Sequence, residues 1–463
     1  MKKLKDLINT SLDINITGVT DDSREVDEGY IFVATHGFNV DHYDYIEDAI
    51  DRGCVFVVCD KELKIDFPHT IVDNIDSYYK ELCIKFYDVD LSNHHFIGIT
   101  GTDGKTTTAT IINRIIDNSS YIGTNGLTIN NKNYSTNNTT PCISELYSDL
   151  RKIEDSDSDT TIMEVSSEAL LHNRVDNFKF DIVAFTNITG DHLSVHGSFE
   201  NYKESKLKLL DLVCKDGYVV VNGDDINLCD IKHNNLYTFG FNNTNDFTIT
   251  NVNYMSKSVL IDIKHKDKKI CIESPLKGKY NVYNVVLSYI VGYLYGVDES
   301  LLLRRIKELK PIKGRCEFID FGQDYDIVLD YAHTINGIKS ILDTFNNYDN
   351  IITVTGCAGG RDHDKRSVIG DMVINNSDIA IFTMDDPRYE DVDDIIDEMV
   401  GNNKDYIRIK DREEAINYAL SIATPNSVVL ILGKGRDNYM AIGDKKIKYN
   451  DYDVIEKYFK NRT

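Results

Sequence analysis

No stretch of this sequence concentrates lysine and arginine, and 51 basic residues against 75 acidic ones leave a net charge of -24. With no basic segment to offset phosphate repulsion, nucleic-acid binding is not expected. The acidity describes a solvated surface and says nothing about chemistry. Nine cysteines are scattered without a CxxC pair, which fits neither a zinc site nor a disulfide framework and suits a reducing cytosol. No segment approaches the roughly 18 apolar residues of a membrane span. The opening MKKLKDLINTSLDINITG alternates polar and apolar residues instead of carrying the apolar core of a signal peptide. No internal repeat or low-complexity tract stands out. The expectation is a soluble, cytoplasmic protein with neither membrane nor nucleic acid as partner.

What is present is length and pattern. A chain of 463 residues exceeds one ordinary core and suits three domains. Residues 1–90 read as a small α/β unit: a turn-rich start, an apolar run Ile31–Ala34, helical spacing in YDYIEDAIDRG and a buried strand in CVFVVCD. From His95 the order strand, glycine-rich turn, helix begins, and further strands at TTIMEV, DIVAFTNI and GYVVVN indicate a parallel sheet covered by helices over 91–310. Within it, NDFTITNVNYMSKSVLIDIKHKDKKICIES alternates like an antiparallel meander. Over 311–463 the runs DIVLD, IITVTG, IAIFTM and VVLILG alternate with helical segments, the pattern of a doubly wound, Rossmann-like α/β domain.

The strongest local signal is Thr100-Gly101-Thr102-Asp103-Gly104-Lys105-Thr106-Thr107, between a predicted strand and helix. Gly101 and Gly104 let backbone amides approach phosphate oxygens, Lys105 neutralises β/γ charge, and a hydroxyl of Thr106 or Thr107 can reach Mg²⁺. The spacing is shorter than the full GxxxxGK[ST] loop, so it could mark any phosphate loop or simply a tight turn opening a helix.

The loop resembles the TGTNGKTT loop of the Mur ligases, with Asp103 where asparagine is usual. More blocks resemble that family in order: NTTP (Asn138–Pro141), MEVSS, TNITGDHLSVHG, YKESKLKLL, GKYNVYN, KGRCE, DYAHT, GCAGGRDHDKR, DDPR and GKGRDNY. They span all three expected domains. The combination of NTTP, DYAHT, DxPR and GKG is similar to the branch that adds the third peptide residue to UDP-N-acetylmuramoyl-L-alanyl-D-glutamate, in peptidoglycan precursor synthesis. The resemblance implies an N-terminal uridine-nucleotide domain, a central ATPase domain and a C-terminal amino-acid domain. It implies ATP and Mg²⁺, small-molecule substrates and a monomer.

It also implies roles. Glu164 and His192 resemble magnesium ligands alongside Thr106. Lys206, at Tyr202-x-x-x-Lys spacing, matches a lysine carried as a carbamate (N6-carboxylysine), an anionic ligand for a second Mg²⁺. Lys203 and Lys208 are near enough that alignment matters, and any of the three could be a solvated helix lysine. Asn281, Asn284, Arg315, Asp330 and His333 match nucleotide contacts. Ser23, Thr139, Thr140, Ser167 and Arg174 match residues holding the UDP-muramoyl dipeptide; NTTP could equally be a loop with capping threonines. The N-terminal likeness is weaker, since DGH or DGY has become DHY.

Arg361, Asp385, Asp386, Arg388, Gly433 and Asp437 match the residues that read the incoming amino acid. An arginine fork suits a planar carboxylate, so Arg388 favours meso-diaminopimelate, which has a distal carboxylate, over L-lysine, which lacks one. Asp386 replaces asparagine and would repel a carboxylate, and Asp437 replaces glutamate and reaches less far. With Glu168, Ser194 and Ile335-Asn336 these departures suggest a divergent member. A ligase with another acceptor, or a nucleotide-gated homologue without catalysis, stands as the alternative.

Overall fold

The computed structural model describes residues 1–36, 41–190, 193–255, 258–361 and 363–461. It divides into two compact units, Met1–Gly98 with Asp117–Asp181, and Ile99–Ile116 with Ile182–Thr463. No described helix is long and apolar enough to cross a membrane.

Among the described residues the first unit holds a parallel sheet of the strands Gly18–Thr20, Tyr30–Val33, Cys54–Cys59 and His69–Ile71, in that order. CVFVVC is a strand because both its faces are covered, Val57 and Cys59 packing with Phe32, Ala34, Ile46 and Ala49. Elsewhere in this unit Thr160–Glu164 runs parallel to Ser119–Gly123, and Gly126–Ile129 and Lys132–Tyr134 continue antiparallel. The helix Ile143–Glu154 buries Leu146, Tyr147, Leu150 and Ile153 at helical spacing.

In the second unit Val213–Asn222, Leu236–Gly240 and Phe247–Tyr254 are parallel neighbours, and Val259–His265 and Lys268–Ser274 complete the expected antiparallel meander. Val259, Ile261 and Ile263 are buried while Lys264 points to water, the alternation read from the sequence. Ser256 and Lys257 of that stretch lie outside the described residues.

The C-terminal sheet of the same unit has the order Glu317–Phe318, Asp326–Asp330, Ser427–Leu432, Asn350–Thr355, Ile379–Phe382, Ile407–Arg408, parallel except for the first strand. It is doubly wound, as expected. Val328, Val428 and Leu430 face the helices Ile335–Phe345, Asp364–Asn376 and Val392–Val400; Ile327, Val429 and Ile431 face Arg412–Ile422 and Asp451–Lys460. Each isoleucine or valine so buried contributes roughly 1.5–3 kcal/mol. The loops leaving the carboxyl ends of these strands are DYAHT, GCAGGR, DDPR and GKGRD, where an open parallel sheet places its ligands.

Candidate active site

The phosphate-loop residues sit where a strand passes into the helix Lys105–Ile115. Gly101 and Gly104 both have positive φ, 145° and 87°. A Cβ at Gly104 would collide with Asn284 Oδ1, and one at Gly101 with Thr186 Oγ1, so the loop closes this tightly only with glycine. The Asp103 backbone is fixed from both sides: its amide donates to Asn187 Oδ1 at 3.0 Å, and its carbonyl accepts from Thr186 Oγ1 at 2.6 Å and Asn187 Nδ2 at 3.0 Å. Lys105 Nζ folds back over the loop onto the Gly101 and Thr102 carbonyls, both at 2.9 Å. A tight glycine loop, opening a helix and topped by an ammonium group, fits a polyphosphate.

Residues far along the chain complete this part. Thr334 Oγ1, in DYAHT, lies 3.0 and 3.1 Å from the two Asp103 carboxylate oxygens, which gives the aspartate at this position a local partner. Arg315 Nη2 donates to Thr106 Oγ1 at 3.1 Å, and its guanidinium lies over the Tyr331 ring. Asp330 accepts from the Cys316 amide at 2.6 Å and the Ala332 amide at 2.7 Å; burial pushes its carboxyl up to about 6 although Arg315 draws it down. Asn281 and Asn284 are buried, Asn281 donating to the Lys277 carbonyl at 2.8 Å and Asn284 abutting Gly104.

Lys206 is the buried lysine of its helix, 2% exposed, with Tyr202 and Ser205 on the same face; Lys203 is half-buried and Lys208 exposed. Its Nζ donates to the Gly101 carbonyl at 2.7 Å and lies 4.7 Å from the Tyr202 ring. The Tyr202 hydroxyl in turn meets Thr102 Oγ1 at 3.0 Å. His192, with Asp191, lies outside the described residues.

In the first unit Glu164 ends its strand fully buried. Its carboxylate accepts from the Tyr121 hydroxyl, the Thr124 amide (3.1 Å) and Thr124 Oγ1 (3.2 Å). Those three donors are neutral. Thr140 Oγ1 donates to the Glu164 carbonyl at 2.7 Å and accepts from the Ser166 amide at 3.0 Å, so its hydroxyl braces the strand end. Thr139 Oγ1 meets Thr124 Oγ1 at 3.1 Å, Ser167 opens the helix Ser167–Leu171, and Arg174 Nη1 donates to the Thr140 carbonyl at 3.1 Å. These four residues and Glu164 are thus one neighbourhood. Ser23 lies apart in the sequence, buried in a turn capped by Asp22.

Among the described residues no three His, Cys, Asp or Glu side chains cluster as a metal cage. The Glu164 carboxylate, an oxygen ligand held by neutral donors, fits Mg²⁺, which keeps several waters and takes one or two protein carboxylates with substrate phosphates.

The C-terminal loops gather the remaining candidates around a residue the sequence reading left out of its site, Lys434. It is 1% exposed, with Nζ 2.8 Å from Asp386, 3.6 Å from Asp437 and 3.8 Å from Asp385. Burial works against its charge, but the three carboxylates outweigh burial and hold its pKa above the ordinary amine value. Asp437 is pushed up to about 6, by burial first and then by Asp385 and Asp386, against the pull of Lys434. Asp386 is therefore no bare negative charge: it also accepts from the Ala441 amide at 2.9 Å. Gly433, φ 108°, makes room for Asp385, since a Cβ there would lie 2.6 Å from Asp385 Oδ2. Arg388 holds a left-handed backbone, φ 51°, pinned by its amide on Ala441 O (3.0 Å) and its carbonyl on the Gly443 amide (2.7 Å). Its side chain runs past Gly360, beside exposed Arg361. One ammonium among three carboxylates, with two arginines on adjoining loops, can receive a zwitterion carrying a further amino group.

Sequence profiles of three domains match this chain: "Mur ligase family, catalytic domain" over 15–85, "Mur ligase middle domain" over 99–292 and "Mur ligase, glutamate ligase domain" over 314–435. The UDP-N-acetylmuramoyl-L-alanyl-D-glutamate--2,6-diaminopimelate ligase of Clostridium botulinum is 36% identical over 459 residues, 95% of this chain and 94% of its own. The enzyme of the same name from Bacillus cereus is 33% identical over 459 residues, 96% and 94% of the two chains. The chain belongs to the Mur ligase family. It is an ATP-dependent amide ligase of that family. Two solved Mur ligases share the fold: a UDP-N-acetylmuramoyl-L-alanyl-D-glutamate--2,6-diaminopimelate ligase (TM-score 0.64, 24% identity, 100% of this chain and 99% of that one) and the MurF ligase of Thermotoga maritima in complex with ADP (TM-score 0.67, 17% identity, 96% and 98%).

In this Mur ligase the sequence reading missed Tyr121, Thr124, Thr334 and Lys434. Lys434 carried a usable signal, a lysine between two glycines in GKG beside acidic residues. Tyr121 and Thr124 had none, since their partner Glu164 is 40 or more positions away.

Proposed function

We propose that the chain catalyses the ATP-dependent addition of meso-diaminopimelate to UDP-N-acetylmuramoyl-L-Ala-D-Glu, forming the third peptide link of a peptidoglycan precursor, as a cytoplasmic monomer. The observation that carries the acceptor is the charge arrangement of the C-terminal loops. Three carboxylates around Lys434 suit the amino groups of a diamino acid, and Arg388 suits its distal carboxylate. The names of relatives at 33–36% identity support the same reading.

In this mechanism Gly101 to Thr107, Asn281, Asn284, Arg315, Asp330 and His333 bind ATP, and Lys105 offsets its terminal charge. Ser23, Thr139, Thr140, Ser167 and Arg174 hold the UDP-muramoyl dipeptide, Arg174 orienting the glutamyl carboxylate. That carboxylate attacks the γ-phosphorus and ADP leaves; the neutral amine of the acceptor then attacks the acyl phosphate, and phosphate leaves. Mg²⁺, when bound by Thr106, Glu164, His192 and Lys206 as its carbamate, supplies the positive charge that offsets the crowded phosphates. Arg361, Asp385, Asp386, Arg388, Gly433 and Asp437 shape the acceptor's seat.

The test is ADP release with UDP-N-acetylmuramoyl-L-Ala-D-Glu and, separately, meso-diaminopimelate, L-lysine, L-ornithine or no amino acid. Turnover with diaminopimelate is expected, and hydroxylamine should trap a hydroxamate. Turnover with lysine or ornithine alone would overturn the acceptor; none with any would overturn the reaction.

A further inference from the structure

The loop that carries Asp437 is gripped by a segment beyond the matched glutamate ligase domain, which ends at residue 435. Asn450 is the N-cap of the helix Asp451–Lys460: its Oδ1 accepts from the Tyr452 amide at 2.9 Å. The other end of the same side chain turns the opposite way. Asn450 Nδ2 lies 3.2 Å from the Arg436 carbonyl, 2.9 Å from the Asp437 carbonyl and 3.1 Å from Asn438 Oδ1. The Tyr449 amide adds a bond to the Asn438 carbonyl at 3.1 Å. Arg436 stacks on Tyr452, 3.6 Å from the ring centroid, while its guanidinium pairs with Glu317.

The next residue fixes that helix start to the roots of the acceptor loops. Asp451 forms a fully buried two-point pair with Arg412, 2.8 Å at each contact. Arg412 Nη2 donates to the Leu432 carbonyl at 2.9 Å, directly before Gly433, and its Nη1 lies 3.4 Å from the Met384 carbonyl, directly before Asp385. A buried guanidinium with all these acceptors holds a fixed geometry. The helix start is thus anchored at the strand ends by Asp451, and from it Asn450 reaches forward, beside the Tyr449 amide and the Tyr452 ring, to the turn that aims Asp437.

We propose that Asn450 is a positioning residue for the amino-acid acceptor: its amide sets the Arg436–Asn438 turn, and through it the place of the Asp437 carboxylate beside Lys434. This deepens the acceptor site and rests on that reading of Asp437. The cap and the grip use opposite ends of one side chain, so they can be separated. Asn450→Ser keeps a good N-cap without the amide and adds no charge; Asn450→Ala removes both.

The experiment measures thermal stability, steady-state kinetics with each substrate varied, and amide hydrogen exchange of the ligand-free full chain. In Asn450→Ser the melting temperature should stay near the parent's, and the Asp437 amide, which bonds the Lys434 carbonyl at 2.9 Å, should exchange faster. KM for the amino acid should rise roughly fivefold or more, with KM for ATP and for the UDP-muramoyl dipeptide unchanged. Asn450→Ala should show the same and also melt lower. If Asn450→Ser matches the parent in Asp437 exchange and in acceptor KM, the residue is a helix cap only and the proposal fails. Parent protein inactive with every diamino acid would instead overturn the proposed reaction, and the exchange of Asp437 would still decide the role of Asn450.

Discussion

Lys206 and Asp437 are side chains whose surroundings decide their chemistry. The helix Phe199–Leu207 buries Lys206 and leaves Lys203 and Lys208 more open, so the residue singled out by Tyr202-x-x-x-Lys is also the one beside the phosphate loop. The carbamate proposed for it would carry negative charge, which neither alanine nor arginine at this position can supply. Lys206→Ala and Lys206→Arg should each lose roughly 100-fold or more in kcat, and added short carboxylic acids should restore part of it in the alanine variant alone; full turnover of that variant without them would sink the carbamate. Asp437 makes a prediction about pH. Its carboxyl titrates near about 6 folded against 3.8 for a free aspartate, so between those values the folded chain holds the extra proton. The group's contribution to stability is fully present below 3.8 and is lost as pH rises through about 6. Acceptor binding runs the other way, because an ammonium group needs the ionised carboxylate. KM for the amino acid should fall as pH rises through about 6. Asp386→Asn removes one of the charges that raise Asp437 and frees Lys434 to draw it down, so the limb should move to lower pH; an unmoved limb in a KM–pH profile would separate Asp437 from acceptor binding. The aspartates were legible from DDPR and GKGRD, but their common counter-ion was not, because Lys434 and Asp386 stand 48 positions apart and only the fold brings them together.

Elements were legible wherever burial imposes a period. CVFVVC, DIVLD, IITVTG and VVLILG are strands because both faces are covered, and the meander alternates because one face is wet. Hidden from the pattern was how one element's cap serves another's loop. Thr334 caps the helix Ile335–Phe345, accepting from the Gly337 amide at 2.9 Å, and the same hydroxyl reaches Asp103, 231 positions away, at the start of the helix Lys105–Ile115. Thr334→Ala should therefore cost about 1–2 kcal/mol of stability in denaturant unfolding and raise KM for ATP, whereas Thr334→Ser should retain both functions. A drop in stability with ATP binding untouched would reduce Thr334 to a helix cap.

At the scale of the whole molecule the ordered blocks identified the family because each is a short local string, and their order along the chain survives divergence that leaves about a third of residues identical. The structure adds a sorting of those blocks. Residues read as dipeptide-binding, Ser23, Thr139, Thr140, Ser167 and Arg174, fall in the first compact unit, whereas the phosphate loop, Asn281, Asn284, Arg315, Asp330, His333 and the acceptor loops fall in the second. A ligand that binds the native state suppresses the local openings of the segment it touches. Hydrogen exchange with an unreactive ATP analogue and Mg²⁺ should protect peptides covering 101–107, 281–284 and 313–317. The UDP-muramoyl dipeptide alone should protect those covering 138–141 and 164–174. If the dipeptide alone protected the phosphate loop and left 138–141 unchanged, the assignment of NTTP to the dipeptide would be wrong, and Thr139 and Thr140 would return to what their bonds to Thr124 and Glu164 already make them, braces of the strand end that carries Glu164.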